Sequence, residues 1–597
     1  MKNTPPYGII NLSNAKEMLT MFKLRRFLRD YKKECIIGPL CKLLEAILEL
    51  FVPLVMANII DVGIKNRDAG YVWMMGGLLV LLALLGWSSA MFTQYFASKA
   101  SQGAGTLIRR ALYEHINTLS HAELDRLGTP SLITRITNDT NQVQQSIAMM
   151  IRLLTRAPFI IAGSLVMAMT INLQLSLIFF GAALLIALTL YLVMTRSVPI
   201  FSAMQKKLDK IGLLSRENLS GNRVIRAFSK QKTECARMDE ATEDLAKTAI
   251  RVSRLSALLS PVTYAVTDVA IILIVWFGAV EVNAGGMHTG DIVALVSYMT
   301  QILLAMVVVA NLIILMTRSS ACAKRINEVL ETKPSVAEHT TEPIATDVSA
   351  PKIEFENVSF NYTADGDEAL TDISFSVPRG ATVGIIGGTG CGKSTLVNLI
   401  PRFYDATAGC VRVDGRDVRD YPFTQLRRQM GIVPQQSTLF SGTIRDNLRW
   451  RNKNASDEAL IAALRIAQAY DFIEKLPRGL DSRVEQGGKN FSGGQRQRLC
   501  IARALVDDPS LLLLDDSFSA LDFATDAALR RALRENTRGM TVVMVTQRCS
   551  TVRNADLILV INDGALAGQG THDELMAGCE VYRDICRSQQ TEKEAAV

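Results

Sequence analysis

Six runs of roughly twenty consecutive apolar residues crowd into the first half of the chain, and none follows residue 320. A run of that length is what an α-helix needs to cross the hydrocarbon core of a bilayer, so this pattern limits the first half to a bundle of spanning helices. The runs are read at about residues 35–63, 71–97, 146–171, 175–194, 258–280 and 291–317. An even number of crossings returns the chain to the side on which it began. The long intervening stretches carry Arg109, Arg110, Arg126, Arg135, Arg223, Arg226 and Lys230, which places them in the cytoplasm by the positive-inside rule. The opposite connections, "IKNRDAG", "INLQ" and "VNAGGMHTG", are short. Ahead of the first run, "MFKLRRFLRDYKKE" (residues 21–34) places apolar residues on one helical face among basic ones, as a helix lying on an anionic membrane surface does. A full-length span follows it with no small-residue cleavage site, so a secretory signal is not expected.

Composition supports that division. Hydrophobic residues make up 49% of the 597, more than an average soluble chain carries. The net charge of +7 has no basic stripe with interleaved aromatics, so topology explains it better than nucleic-acid binding does. Ten cysteines at irregular spacings form no paired metal-ligand motif, and none falls in the outside connections, as expected of reduced thiols facing the cytoplasm. Four carboxylates interrupt the apolar runs. Glu45, Glu49 and Asp268 are candidates for a substrate or proton site, with a Lys42 ion pair or an interfacial position as the alternative; Asp61 is the fourth.

The second half is of another kind. The expected domains are a membrane domain over 1–330, a polar linker over 331–352 and a soluble α/β nucleotide-binding domain over 353–597. "GIIGGTGCGKST" follows an apolar strand and precedes the helical "LVNLIPRFY", the context of a phosphate-binding loop. Gly387, Gly388, Thr389, Gly390, Cys391 and Gly392 form a curl whose N–H groups point at phosphate oxygens. Lys393 reaches the terminal phosphates, and Ser394, followed by Thr395, holds Mg²⁺. The strand "LLLLD" supplies Asp515 as the second magnesium carboxylate, so the expected cofactors are ATP and Mg²⁺.

"FSGGQRQRLCIARAL" ahead of Asp515, with "VPQQ" between the two phosphate motifs, narrows the class. With these motifs the chain resembles the ABC transporter family, as a half-transporter in which six spanning helices are fused to one P-loop domain. The resemblance implies that Ser492, Gly493, Gly494 and Gln495 head a helix pressing on the γ-phosphate of ATP bound to the opposite subunit. It implies that Tyr362 stacks on adenine, that Gln435 reaches Mg²⁺ and the attacking water, and that Asp522 of "SALD" lies on the dimer interface. It also implies that the basic loops around 107–120 and 211–226 rest on the nucleotide domains.

Two positions depart from the family pattern. The family follows its magnesium aspartate with a catalytic glutamate and, about thirty residues later, a histidine that contacts the γ-phosphate; the resemblance implies those places for Asp516 and Gln547 of this chain. Both changes strike one site. The expectation is therefore the degenerate-site subunit of a heterodimeric bacterial exporter in the cytoplasmic membrane, paired with a second half-transporter that carries the glutamate and histidine. Multidrug export of amphipathic or hydrophobic compounds is the expected activity, with a lipid or peptide exporter, or a nucleotide-gated channel subunit, as alternatives. A leader-cleaving peptide exporter is not expected, since no peptidase segment precedes the spans.

Overall fold

The computed structural model describes residues 23–594 apart from 339, 348, 364 and 365; Met21 and Phe22 of the expected surface helix lie outside the described residues. The chain forms two compact units, Met1–Asn117 with Thr129–Thr332, and Thr118–Gly128 with Lys333–Val597.

The first unit is helical. A tight helix over Leu24–Tyr31 turns Leu24 inward and leaves Arg25, Arg26 and Arg29 exposed. It leads into α1 (Lys32–Asn58), followed by α2 (Ala69–Ile116), α3 (Thr140–Leu153), α4 (Arg156–Ile171), α5 (Leu173–Ser220), α6 (Gln231–Ala257), α7 (Leu259–Asn283) and α8 (Thr289–Glu331). Among the described residues, six helical stretches are long and apolar enough to cross a membrane, matching the six runs in number while extending well past them. The third run is split between α3 and α4 at Leu154 and Thr155.

Local chemistry explains several of these joints. Pro39 and Pro53 lie inside α1, where proline removes a backbone donor. Hydroxyls from neighbouring helices reach carbonyls nearby: Ser89 donates to Cys41 O at 2.6 Å, Thr93 to Gly38 O at 3.3 Å and Tyr298 to Leu50 O at 2.7 Å. Asp61 accepts the Gly290 N–H at 2.8 Å, so this acid secures the start of α8 to the end of the first span. Glu45 pairs with Lys42 at 2.7 Å, and Glu49 pairs with Arg156 at 2.8 Å. Asp268, on α7, is exposed within this unit.

The basic loop expected around 107–120 needs correction, because α2 takes up residues 107–116 as a continuation of its span. The segment that leaves the membrane bundle is Thr118–Gly128, and it packs in the second unit as the short helix His121–Leu127, whose start is capped reciprocally by Ser120 and Glu123. There the His121 ring lies 4.4 Å from that of Phe403, and Tyr404 donates to Asp125 at 2.8 Å. The other basic loop, 211–226, is the end of α5 and the exposed turn of helix Asn222–Ala227.

Among the described residues the second unit contains twelve strands: β1 (Ile353–Phe360), β2 (Leu370–Val377), β3 (Thr382–Ile386), β4 (Ala408–Val413), β5 (Arg416–Asp417), β6 (Met430–Val433), β7 (Gly442–Thr443), β8 (Arg483–Val484), β9 (Leu511–Asp515), β10 (Thr541–Thr546), β11 (Leu557–Asn562) and β12 (Ala565–Gly570). An antiparallel sheet runs β2-β1-β4-β5, and the main sheet runs β12-β11-β3-β10-β9-β6. The strands from β11 to β6 in that order pair in parallel, with β12 antiparallel at the edge. Every residue of β9 and β10 is buried, as strands covered on both faces must be, which is why "LLLLD" shows no alternation. Under the small sheet, Lys352 is 2% exposed and its ammonium bonds to Asp414 at 2.9 Å, Gln429 at 2.8 Å and Ser510 at 2.9 Å.

Candidate nucleotide site

Strand register builds this site. Ile386 of β3 pairs with Thr546 of β10, Asp515 of β9 pairs with Val545 of β10, and Val433 of β6 pairs with Leu514 of β9. The four parallel strands therefore end together, and within two residues each has released a functional candidate: Gly387, Gln547, Asp516 and Gln435. Ligands of open parallel sheets sit in the crevice beyond such strand ends.

The phosphate loop is defined by close backbone approach. A Cβ on Gly387 would lie 2.1 Å from the Ile561 carbonyl oxygen, and Gly392 has φ of 98°, a left-handed conformation that only glycine adopts without strain. Gly392 leads directly into α9 (Lys393–Leu399). Gly388, Thr389 and Gly390 are exposed at the rim, while Cys391 is buried beneath it, its sulfur 3.5 Å from the Lys393 ammonium. That ammonium is held by the carbonyls of Gly387, at 2.9 Å, and Gly388. Ser394 donates to Asp515 at 2.9 Å, which puts a hydroxyl and a carboxylate oxygen side by side.

These residues suit a magnesium nucleotide. Mg²⁺ prefers hard oxygen ligands and is usually held by one or two carboxylates together with substrate phosphates. Among the described residues no cluster of three or more His, Cys, Asp or Glu could hold a metal, so a cation here depends on phosphate oxygens beside Ser394 and Asp515. Burial raises the Asp515 carboxyl above the ordinary aspartate range against the Ser394 bond, and burial also raises Asp516.

Asp516 has φ of 45°, a left-handed backbone that aspartate tolerates better than most side chains. Its carbonyl accepts from Gln497 at 3.1 Å and from the Ser519 hydroxyl at 3.0 Å. Gln547 follows β10 with its side chain exposed, and Gln435 is exposed after β6. Tyr362 is 52% exposed and its hydroxyl lies 2.9 Å from that of Thr395, beside the phosphate-loop helix.

Ser492 caps α10 (Gly493–Leu505), accepting from Gln495 N–H, while the Gln495 side chain accepts the Ser492 N–H at 2.9 Å. A Cβ on Gly493 would meet Ala520 Cβ at an ordinary 3.7 Å, whereas one on Gly494 would crowd the Ala520 carbonyl at 3.0 Å. Asp522 caps α11 (Phe523–Asn536) by accepting the Thr525 N–H at 3.1 Å. The structure brings Gly387–Thr395, Gln435, Asp515, Asp516 and Gln547 to one edge of the sheet. Glu45, Glu49 and Asp268 belong to the other unit.

Sequence reasoning missed Gln497. This side chain is 3% exposed and bridges the Asp516 carbonyl to the Ala520 N–H, tying α10 to the turn after β9. Its signal was a polar residue four positions after Gly493, on the helical face that goes on to buried Ile501.

Comparison with known proteins agrees with this geometry. Residues 35–306 match the model of the ABC transporter transmembrane region, and residues 370–519 match that of the ABC transporter. The chain belongs to the ABC transporter family. This ABC chain is 38% identical to the uncharacterized ABC transporter ATP-binding protein YfiB of Bacillus subtilis (strain 168), over 95% of its own length and 98% of that protein's. It is 30% identical to an ATP-dependent lipid A-core flippase of Vibrio parahaemolyticus, over 96% and 98% of the two chains. Among solved structures, a bacterial Atm1-family ABC exporter with ATP bound superposes with a TM-score of 0.76 at 25% identity, covering 95% of this chain and 98% of that one. The ABC chain thus has the exporter fold, a membrane region fused to an ATP-binding ATPase domain.

Proposed function

We propose that this chain is one half of a heterodimeric exporter in the bacterial cytoplasmic membrane, with a weakly hydrolytic ATP site of its own and a signature segment that completes the partner's site. The observation that carries the reading is the pairing of two departures at neighbouring strand ends, Asp516 after β9 and Gln547 after β10. Lys393 and the loop amides would hold the phosphates, Ser394 and Asp515 would hold magnesium with Gln435 beside them, and Tyr362 would take the base. Bound there, the metal would supply compensation for negative charge on the phosphate oxygens.

The remaining task is to orient water, and here the site is short of reach. A general base needs about 2.6–3.2 Å between heavy atoms, and aspartate is one methylene shorter than glutamate. A misplacement of about 1 Å can cost about 10²-fold in rate. Gln547 donates a hydrogen bond and never carries the positive charge available to histidine. The Asp516 backbone is already fixed by Gln497, Ser519 and Val545, so it does not shift freely to make up the gap.

For cargo, amphipathic or hydrophobic compounds fit the six spans, with multidrug export the first reading. The exposed Asp268 favours cationic cargo, while Glu45 and Glu49 are already neutralised by Lys42 and Arg156. A lipid cargo is the second reading, favoured by the full-length likeness to a lipid A-core flippase. The test compares ATP turnover of the chain purified alone with that of the chain co-purified with a half-transporter bearing Glu and His at the two positions. The lone chain is expected to bind ATP and hydrolyse it at least about 10²-fold more slowly than the pair. Vanadate-sensitive turnover by the lone chain at an ordinary ~1–10 s⁻¹ overturns the reading.

A further inference from the structure

Gln547 stands on a stretch of backbone that belongs to no regular element. β10 ends at Thr546 and the next helix, Cys549–Val552, begins three residues later, with Gln547 and Arg548 between them. Polar backbone groups in such a link need partners from elsewhere. One side chain supplies two of them. The Gln589 amide nitrogen donates to the Gln547 carbonyl at 2.5 Å, and its oxygen accepts the Cys549 N–H at 2.9 Å. A carbonyl accepts and an N–H donates, so the two bonds fix the orientation of the Gln589 amide and bracket Arg548, pinning the backbone on the C-terminal side of Gln547 while β10 holds it on the other.

The helix that carries Gln589, Glu580–Glu594, is itself anchored. Tyr582 is fully buried, with its hydroxyl 2.8 Å from His572 Nδ1. Cys586 packs with Cys549, Val552, Ile558 and Val560 in one apolar cluster. The glutamine therefore projects from a fixed platform, and its reach determines where the backbone of residue 547 stands.

We propose that Gln589 is a positioning residue for the nucleotide site: by holding the backbone that follows Gln547, where β10 no longer supports it, Gln589 aims that side chain at the γ-phosphate. The inference rests on the reading that residue 547 faces the γ-phosphate, and it assigns the C-terminal helix a part in telling ATP from ADP.

The test uses the full-length chain in nanodiscs, with ATP and ADP each displacing an N-methylanthraniloyl-labelled ADP. Gln589→Ala removes both bonds, and Gln589→Met removes them while keeping side-chain length. Each is expected to lower the preference for ATP over ADP by about three- to tenfold, with ADP affinity held within about twofold. Gln547→Ala should lower the preference similarly, and adding Gln589→Ala to it should lower it no further. Equal weakening of ATP and ADP, full retention of preference in Gln589→Met, or an additive double variant overturns the assignment. If Gln547→Ala lowers the preference and the Gln589 variants do not, the positioning role falls alone. If none of them changes it, the γ-phosphate reading falls with it.

Discussion

The phosphate loop and the pair Asp516 and Gln547 occupy the same edge of the same sheet, yet they are built differently. The loop works through backbone: its tolerances are set by a Cβ that would lie 2.1 Å from the Ile561 carbonyl at Gly387 and by a left-handed φ at Gly392. The pair works through the length and charge of two side chains hung on strand ends. Backbone sites demand glycine and announce themselves. Side-chain sites keep their scaffold when one methylene is lost, so a chain can retain binding while giving up turnover.

The largest effect expected under this contrast lies in the signature segment, the other backbone-built element. Gly493→Val should fold, since the first added carbon meets only ordinary contact within its own chain, and should block close approach to the phosphate bound by the partner. ATPase of the co-purified pair is expected to fall by at least about 10²-fold with its melting temperature held. A variant that turns over at the parent rate removes the signature segment from catalysis.

Next comes Asp515→Asn. Burial raises this carboxyl, so its charged form destabilises the nucleotide-free domain above the raised pKa, and that cost disappears as pH falls through it. The variant should weaken magnesium-dependent ATP binding by about tenfold or more while raising the melting temperature of the nucleotide-free chain at neutral pH. A lower melting temperature would show that the Ser394 bond outweighs desolvation.

Asp516→Asn should do much less, changing turnover of the pair by under about threefold, if the degenerate-site reading holds and an aspartate falls one methylene short of the water that a glutamate would reach. If it stops hydrolysis as fully as Gly493→Val while both sites still bind ATP, Asp516 is a working base and the contrast between the two regions fails. The smallest effect concerns Cys391. Its thiol is buried under the loop, so maleimide labelling should be slow with and without ATP and unchanged in pattern by Cys391→Ala at the other cysteines. Rapid labelling that ATP prevents would place the sulfur on the phosphate face instead.

Much of the site is legible in the chain itself because its strongest signals are local. Glycine spacing, the Lys393–Ser394 pair and the buried run ending in Asp515 are each contained within a dozen residues. Features of longer range are the ones that local pattern misplaces. Residues 107–120 carry the basic charge of a loop resting on the nucleotide domain, but helix propagation takes α2 through Ile116, and the segment that packs with the nucleotide domain begins at Thr118. The partner of Glu49 is Arg156, which is 107 residues away, and no periodicity connects them.

Hydrophobic run length, glycine spacing and side-chain identity are properties of the chain, and they were enough for the six crossings, the phosphate loop and the departures at Asp516 and Gln547. Strand order is a property of the packed molecule, and the order β3-β10-β9-β6 is what brings Gly387, Gln547, Asp516 and Gln435 to one edge. Packing likewise makes Gln497 and Gln589, from two separate helices, hold the backbone beneath Asp516 and Gln547. Parallel pairing and side-chain-to-backbone bonds across many residues depend on how packed elements meet, and one glutamine in a helix reads like another until that packing is known.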